Sequence, residues 1–178
     1  MRGQETDRPV SATPNARRAA AYHEAGHTVV VLALGGSVDL VSIDEADAKV
    51  PERPGLCRYT FAQRFRGRDD VASVREERME VEALAMLAGA RAPILARCEG
   101  NYLDKTLQEH RLTAIMEILE NWRPDGFAWD EMHAYLDRID VEVTELLQTN
   151  WPMVESVAQA LLAGARLDGP TTRAIAGL

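Results

Sequence analysis

The sequence predicts a mainly helical fold, an array of about five to six helices carrying a short two-stranded antiparallel β-ribbon. Three observations predict it. Most of the chain carries apolar residues at helical spacing, only two short stretches alternate as strands do, and Gly and Pro punctuation falls between these elements. At 178 residues, 46% of them hydrophobic, the chain can bury a core as one domain over residues 15 to 178. Residues 1 to 14 mix charge with Pro9 and Pro14 without periodicity and read as a flexible N-terminal leader.

The first helix is expected from Asn15, a good N-cap, to Leu34, with Gly35-Gly36 as its stop. Beyond it, the stretches Val38 to Ile43 and Leu56 to Phe61 form the ribbon, joined by a charged connector holding Pro51 and Pro54. Asp69-Asp70 would cap a second helix through Val71, Val74, Val81, Leu84, Ala85 and Ala88, with Ala88-Gly89-Ala90 allowing a close crossing and Pro93 breaking or kinking the run. A third helix is expected from Asn101 to Trp122 and a fourth from Asp130 to Thr149. The fourth carries Met132, Tyr135, Leu136, Ile139, Val143, Leu146 and Leu147 on a core-facing stripe, with Asp137, Glu142 and Glu145 solvated. Asn150-Trp151-Pro152 opens a fifth, and Leu167-Asp168-Gly169-Pro170 separates off a short terminal helix.

Composition removes several function classes. The 20 basic and 28 acidic residues give a net charge of −8, which argues against nucleic acid as the partner. The apolar stretch Thr28 to Leu34 is preceded by His23, Glu24 and His27, so no membrane span is expected. Cys57 and Cys98 form no CxxC pattern and suit a reducing compartment, so a cytoplasmic location is expected.

The chemistry concentrates in Ala20-Ala21-Tyr22-His23-Glu24-Ala25-Gly26-His27-Thr28. On a helix, His23 and His27 at i and i+4 share one face and can meet one Zn2+, while Glu24 lies about 100° round the axis, placed to act as a base on water. Gly26 costs about 1 kcal/mol in mid-helix relative to Ala, which points to a close packing contact there. The bland alternative is a buried helix with two hydrogen-bonded histidines.

A third ligand must come from elsewhere. Val30 and Ala33 stand where a metzincin pattern needs Gly and His, which excludes that pattern. Glu76, Glu77, Glu80 and Glu82 on the second helix are candidates, and so is Asp104 near the start of the third, where it could equally be a helix-capping acid behind Asn101. Cys98, Glu99 and His110 are nearby. Cys98 reads more readily as a small buried hydrophobe and His110 as a packed histidine between Leu107 and Ala114.

The run Ala21-Tyr22-His23-Glu24-Ala25-Gly26-His27-Thr28-Val29-Val30 closely resembles the zinc-binding helix of the FtsH-type proteases, peptidase family M41. Val41-Ser42-Ile43 and Gly55 to Thr60 resemble that family's ribbon, Ala83 to Ala92 its glycine-containing helix, and Glu145-Leu146-Leu147 through Leu162 and Leu167-Asp168-Gly169 its last helices. The resemblance implies a single M41-like metallopeptidase domain, with His23, His27 and Asp104 as zinc ligands and Glu24 as the catalytic base. It departs from the family at Pro93-Ile94, where a Glu pair is usual, and at Asn101-Tyr102-Leu103-Asp104, where Asn-Asp is usual. Neither a Walker lysine loop nor a membrane anchor occurs in these 178 residues.

The expected activity is therefore ATP-independent, zinc-dependent endoproteolysis of peptides or unfolded protein segments, with a separate ATPase as a partner to be tested. Substrate is expected along the ribbon edge near Leu56 to Phe61. The alternative is a non-catalytic zinc-stabilised binding module or adaptor, which has no need of Glu24.

Overall fold

The structure, a computed structural model, describes residues 14–47, 55–67, 72–98 and 129–177. Among these residues the elements run α1 (Pro14–Ala33), β1 (Ser37–Ser42), a 3-10 turn (Glu45–Asp47), β2 (Leu56–Thr60), α2 (Ala72–Leu95), α3 (Trp129–Thr149), α4 (Trp151–Gly164), β3 (Arg166–Asp168) and α5 (Gly169–Ile175). The protein is mainly helical with a small antiparallel sheet. The leader apart from Pro14, the Asp69-Asp70 cap and the expected third helix, Asp104 included, lie outside the described residues.

The helix α1 is the axle. Ala19 to Gly26 and Thr28 to Leu32 are all buried, so it is covered nearly all round. It packs against α2 most extensively, and also against α4, both long strands and α3. The small side chains on one side explain how α2 comes so near: a Cβ built on Gly26 would fall on the Ala88 carbonyl and within 2.7 Å of the Ala92 Cβ. The expected close contact at Gly26 and the crossing at Ala88-Gly89-Ala90 are thus the same contact.

α1 starts at Pro14, so Asn15 lies in its first turn and does not cap it. Its end follows the glycine signal. Gly35 is left-handed (φ 77°), Gly36 N–H donates to the Val31 carbonyl at 2.8 Å, and Gly35 N–H donates to Leu32 at 3.1 Å. These are the paired bonds of a Schellman motif. Arg64 holds the same end from outside, donating from Nη1 to the Leu34 carbonyl and from Nη2 to Glu77 at 3.0 Å.

The ribbon forms where expected, with Val41 opposite Cys57 and an irregularity between Val38 and Leu40. A third strand corrects the two-stranded expectation. β3 pairs antiparallel with the other side of β1, setting Leu167 against Val41, so the sheet order is β2-β1-β3. Its three residues are too short for an alternating pattern to show, and only Leu167 is buried. Asp168 then caps α5, accepting from Thr171 N–H at 2.8 Å.

Pro93 neither breaks nor ends α2 at once: the helix continues to Leu95. The proline sits in the last turn, and the end is then closed by Cys98 N–H to Pro93 and Arg97 N–H to Ile94, both 2.9 Å. Arg97 takes the left-handed position (φ 52°), and Arg18 on α1 donates to the Ala96 carbonyl at 2.8 Å. On α3, Leu136, Ile139, Val143 and Leu147 of the expected stripe are buried, meeting a core that includes Leu84, Val154, Val157 and Leu161. No described helix is long and apolar enough to cross a membrane.

The α1–α2 contact gives a direct prediction. Alanine at 26 should help the isolated helix by about 1 kcal/mol, yet overpacking against backbone costs about 1–3 kcal/mol. Gly26→Ala should therefore lower the urea midpoint, and a raised midpoint would show that the helices can separate without penalty.

Candidate metal centre

His23 and His27 meet on the α2-facing side of α1. Their Nε2 atoms are 3.1 Å apart, and the rings stand edge to face with centroids 4.7 Å apart at 78°. His27 Nδ1 lies 2.7 Å from the Ala85 carbonyl on α2. A carbonyl can only accept, so Nδ1 carries the proton and the Nε2 of His27 presents a lone pair. That arrangement, a ring held by its far nitrogen so that the other faces its neighbour, is how metal-ligating histidines are usually oriented.

The spacing bears on what the pair can hold. Two nitrogens bound tetrahedrally to Zn2+ at about 2.0–2.1 Å sit about 3.3–3.4 Å apart, a few tenths of an ångström wider than the pair here. The same pair without an ion can share a proton, His23 Nε2–H donating to His27 Nε2. Imidazole is the right donor type for a borderline-soft cation such as Zn2+, and the pair would supply two of its ligands.

Glu24 lies with its carboxyl against the backbone at the start of β2. It is only 6% exposed, and burial pushes its carboxyl up from 4.5 to about 8. A Cβ on Gly55 would lie 2.8 Å from the Glu24 Cγ and Cδ, closer still to Oε1, so bare backbone forms that wall. Thr28 Oγ1 donates to the Glu24 carbonyl at 2.7 Å and lies 3.5 Å from Cys57 Sγ. Burial first, and then the charge of Glu24, hold the Cys57 thiol well above its ordinary range, with Thr28 opposing, so Cys57 is a poor nucleophile. On the other side of the site, a Cβ on Gly89 would lie within 2.6–2.7 Å of His27 Cε1 and Cδ2, closer still to Nε2.

The glutamates of α2 are engaged elsewhere. Glu77 pairs with Arg64 at 3.0 Å, Glu80 with Arg138 at 2.5 Å, and Glu82 accepts from Tyr59 at 3.1 Å, while Glu76 is exposed. Among the described residues no three His, Cys, Asp or Glu side chains form a group that could hold an ion. Cys98 is buried and takes a contact from Arg18 at 3.4 Å, in keeping with a small core residue. Asp104, Glu99 and His110 lie outside the described residues.

The structure thus brings together His23, His27 and Glu24, and adds Gly55, Cys57, Ala85 and Gly89 to their surroundings. Sequence reasoning missed these four as site residues, though the glycines before a strand and within a helix were the available signal. No family model matches the chain, and no curated protein matches it.

The raised carboxyl of Glu24 sets a pH dependence for the metal-free protein. The folded-state value lies above the unfolded one, so the stability from burying the neutral acid is complete below about pH 4.5 and is lost as pH rises through about 8. Urea midpoints should fall across that window, and Glu24→Gln should flatten the fall. An equal slope in both proteins would assign it to other groups.

Proposed function

We propose that the chain is a zinc-dependent endopeptidase acting on peptides or unfolded protein segments, similar in its site to the FtsH-type M41 proteases. The observation that carries this reading is the pair of Nε2 atoms 3.1 Å apart, with His27 fixed by the Ala85 carbonyl and a buried carboxylate one residue from His23. His23 and His27 would hold the ion, with Asp104 as the proposed third ligand. Zinc in such a site supplies an acidified water, of pKa about 7, and polarises the scissile carbonyl.

Glu24 supplies the proton transfers. Its carboxylate takes a proton from the attacking water as the hydroxyl adds to the carbonyl carbon, and returns it to the amine nitrogen as the C–N bond breaks. A base with a value near neutrality suits both transfers better than an exposed glutamate would. Neither neighbour competes with it as an acid, since the Cys57 thiol is held protonated and Gly55 has no side chain.

The sheet supports one placement for the substrate. β2 pairs only with β1 among the described residues, which leaves its other edge for an extended peptide, and β2 begins where Gly55 faces Glu24. A peptide laid along it would run about 4.8 Å from the strand, past the base. With no motor in these residues, the substrates proposed are already unfolded, or are delivered by a separate ATPase. Neither nucleic acid nor membrane is a proposed partner, and a cytoplasmic setting is proposed.

A second reading, a zinc-stabilised binding module without activity, is favoured by Pro93, which stands in the last turn of α2 where the M41 resemblance expects a Glu pair. Zinc content and cleavage of unfolded casein separate the two. Glu24→Gln should keep its zinc and lose about 10²–10⁴-fold in kcat. A zinc-loaded wild type inert on every denatured substrate would establish the binding module instead. Asp104→Asn should lower zinc occupancy with the far-UV circular dichroism unchanged, and unaltered occupancy would remove Asp104 from the ligand set.

A further inference from the structure

Three glycines abut the α1 motif, and they differ in what a side chain would strike. At Gly26 it would strike the Ala88 carbonyl, which is rigid backbone. At Gly89 it would strike Nε2, Cε1 and Cδ2 of His27, the end of the ring that carries the candidate ligand atom. At Gly55 it would strike Oε1, Cδ and Cγ of Glu24, the end that carries the proton. The last two obstacles are movable side chains, so each glycine constrains where a functional group sits more than whether the chain folds.

Resting on the zinc-peptidase reading, we propose that Gly89 and Gly55 are positioning residues that set the two halves of the site independently: Gly89 fixes the metal-facing nitrogen of His27, and Gly55 fixes the carboxylate of Glu24. The two come from different parts of the chain and meet different side chains of the motif. Gly89 lies on α2, one turn beyond the Ala85 carbonyl that takes the His27 Nδ1 proton, so one helix holds the ring at both ends. Gly55 immediately precedes β2, whose second residue, Cys57, meets Thr28 one turn along α1 from Glu24.

This arrangement gives the site two separable adjustments. Bulk at position 89 pushes the Nε2 of His27 off its line with His23 and weakens the ion's hold. Bulk at position 55 turns the carboxylate away from the water while leaving both imidazoles in place.

The test measures zinc affinity by chelator competition for the wild type, Gly89→Ala and Gly55→Ala. Gly89→Ala should bind zinc about 10–100-fold more weakly, as loss of an orienting contact does, while Gly55→Ala should stay within about threefold of the wild type. Equal losses in both variants, or none in Gly89→Ala, overturn the proposal. Stability cycles in metal-free protein keep it decidable if either variant folds poorly. The drop in urea midpoint caused by Gly89→Ala should shrink by about half or more in a His27→Ala background, and that of Gly55→Ala likewise in a Glu24→Ala background. Unchanged drops would show that the glycines serve backbone packing alone. In an active wild type, Gly55→Ala should lower kcat with KM unchanged. The affinities and cycles decide this proposal even where the wild type cleaves nothing, an outcome that counts against the peptidase reading by itself.

Discussion

The approach of α1 to α2 at Gly26 is the constraint on which the rest depends. Without a Cβ at that point the two helix backbones come close enough for the Ala85 carbonyl to reach His27, and for Gly89 to sit against the ring. The same contact fixes the roll of α1 about its axis. Once α2 holds the histidine face, Glu24 has to face the start of β2. A more distant α2 would leave two imidazoles loosely placed on a helix surface, each free to take several rotamers.

Burying His23 and Glu24 in the middle of a helix core carries a cost, because polar groups removed from water must find partners or lose their charge. The imidazoles meet this through each other and through a main-chain carbonyl. The carboxyl meets it by being held neutral over much of the pH range. Large apolar side chains elsewhere, among them Ile139, Leu147, Val154, Val157 and Leu161, supply the burial that sustains such a site. The buried polar groups of the candidate site are thus concentrated in α1 and surrounded by the apolar packing of α2, α3 and α4.

Much of this was readable in the sequence because the signals were local. The i, i+4 histidines, the Gly35-Gly36 stop, the alternation in β1 and β2 and the stripe on α3 each report on a few neighbouring residues, and local structure follows them. β3 was not readable, since a three-residue strand exists only through its partner β1. Pro93 marked the end of α2 to within two residues, since a proline does not show in the sequence how many residues of the last turn follow it. Gly55, Cys57 and Gly89 escaped as site residues for a different reason. Their importance lies in what stands opposite them, 29 to 62 positions away in the chain.

His27 is oriented by a main-chain carbonyl where many metal sites use a carboxylate side chain. No substitution at position 85 removes that oxygen, so the orienting group is hidden from point mutation and persists for as long as the helix does. Heritable change can reach it only by bending α2 or by filling the space beside the ring. Because Ala85 is itself fully buried, its side chain is constrained by packing alone, and the orienting oxygen depends only on the helical geometry around it.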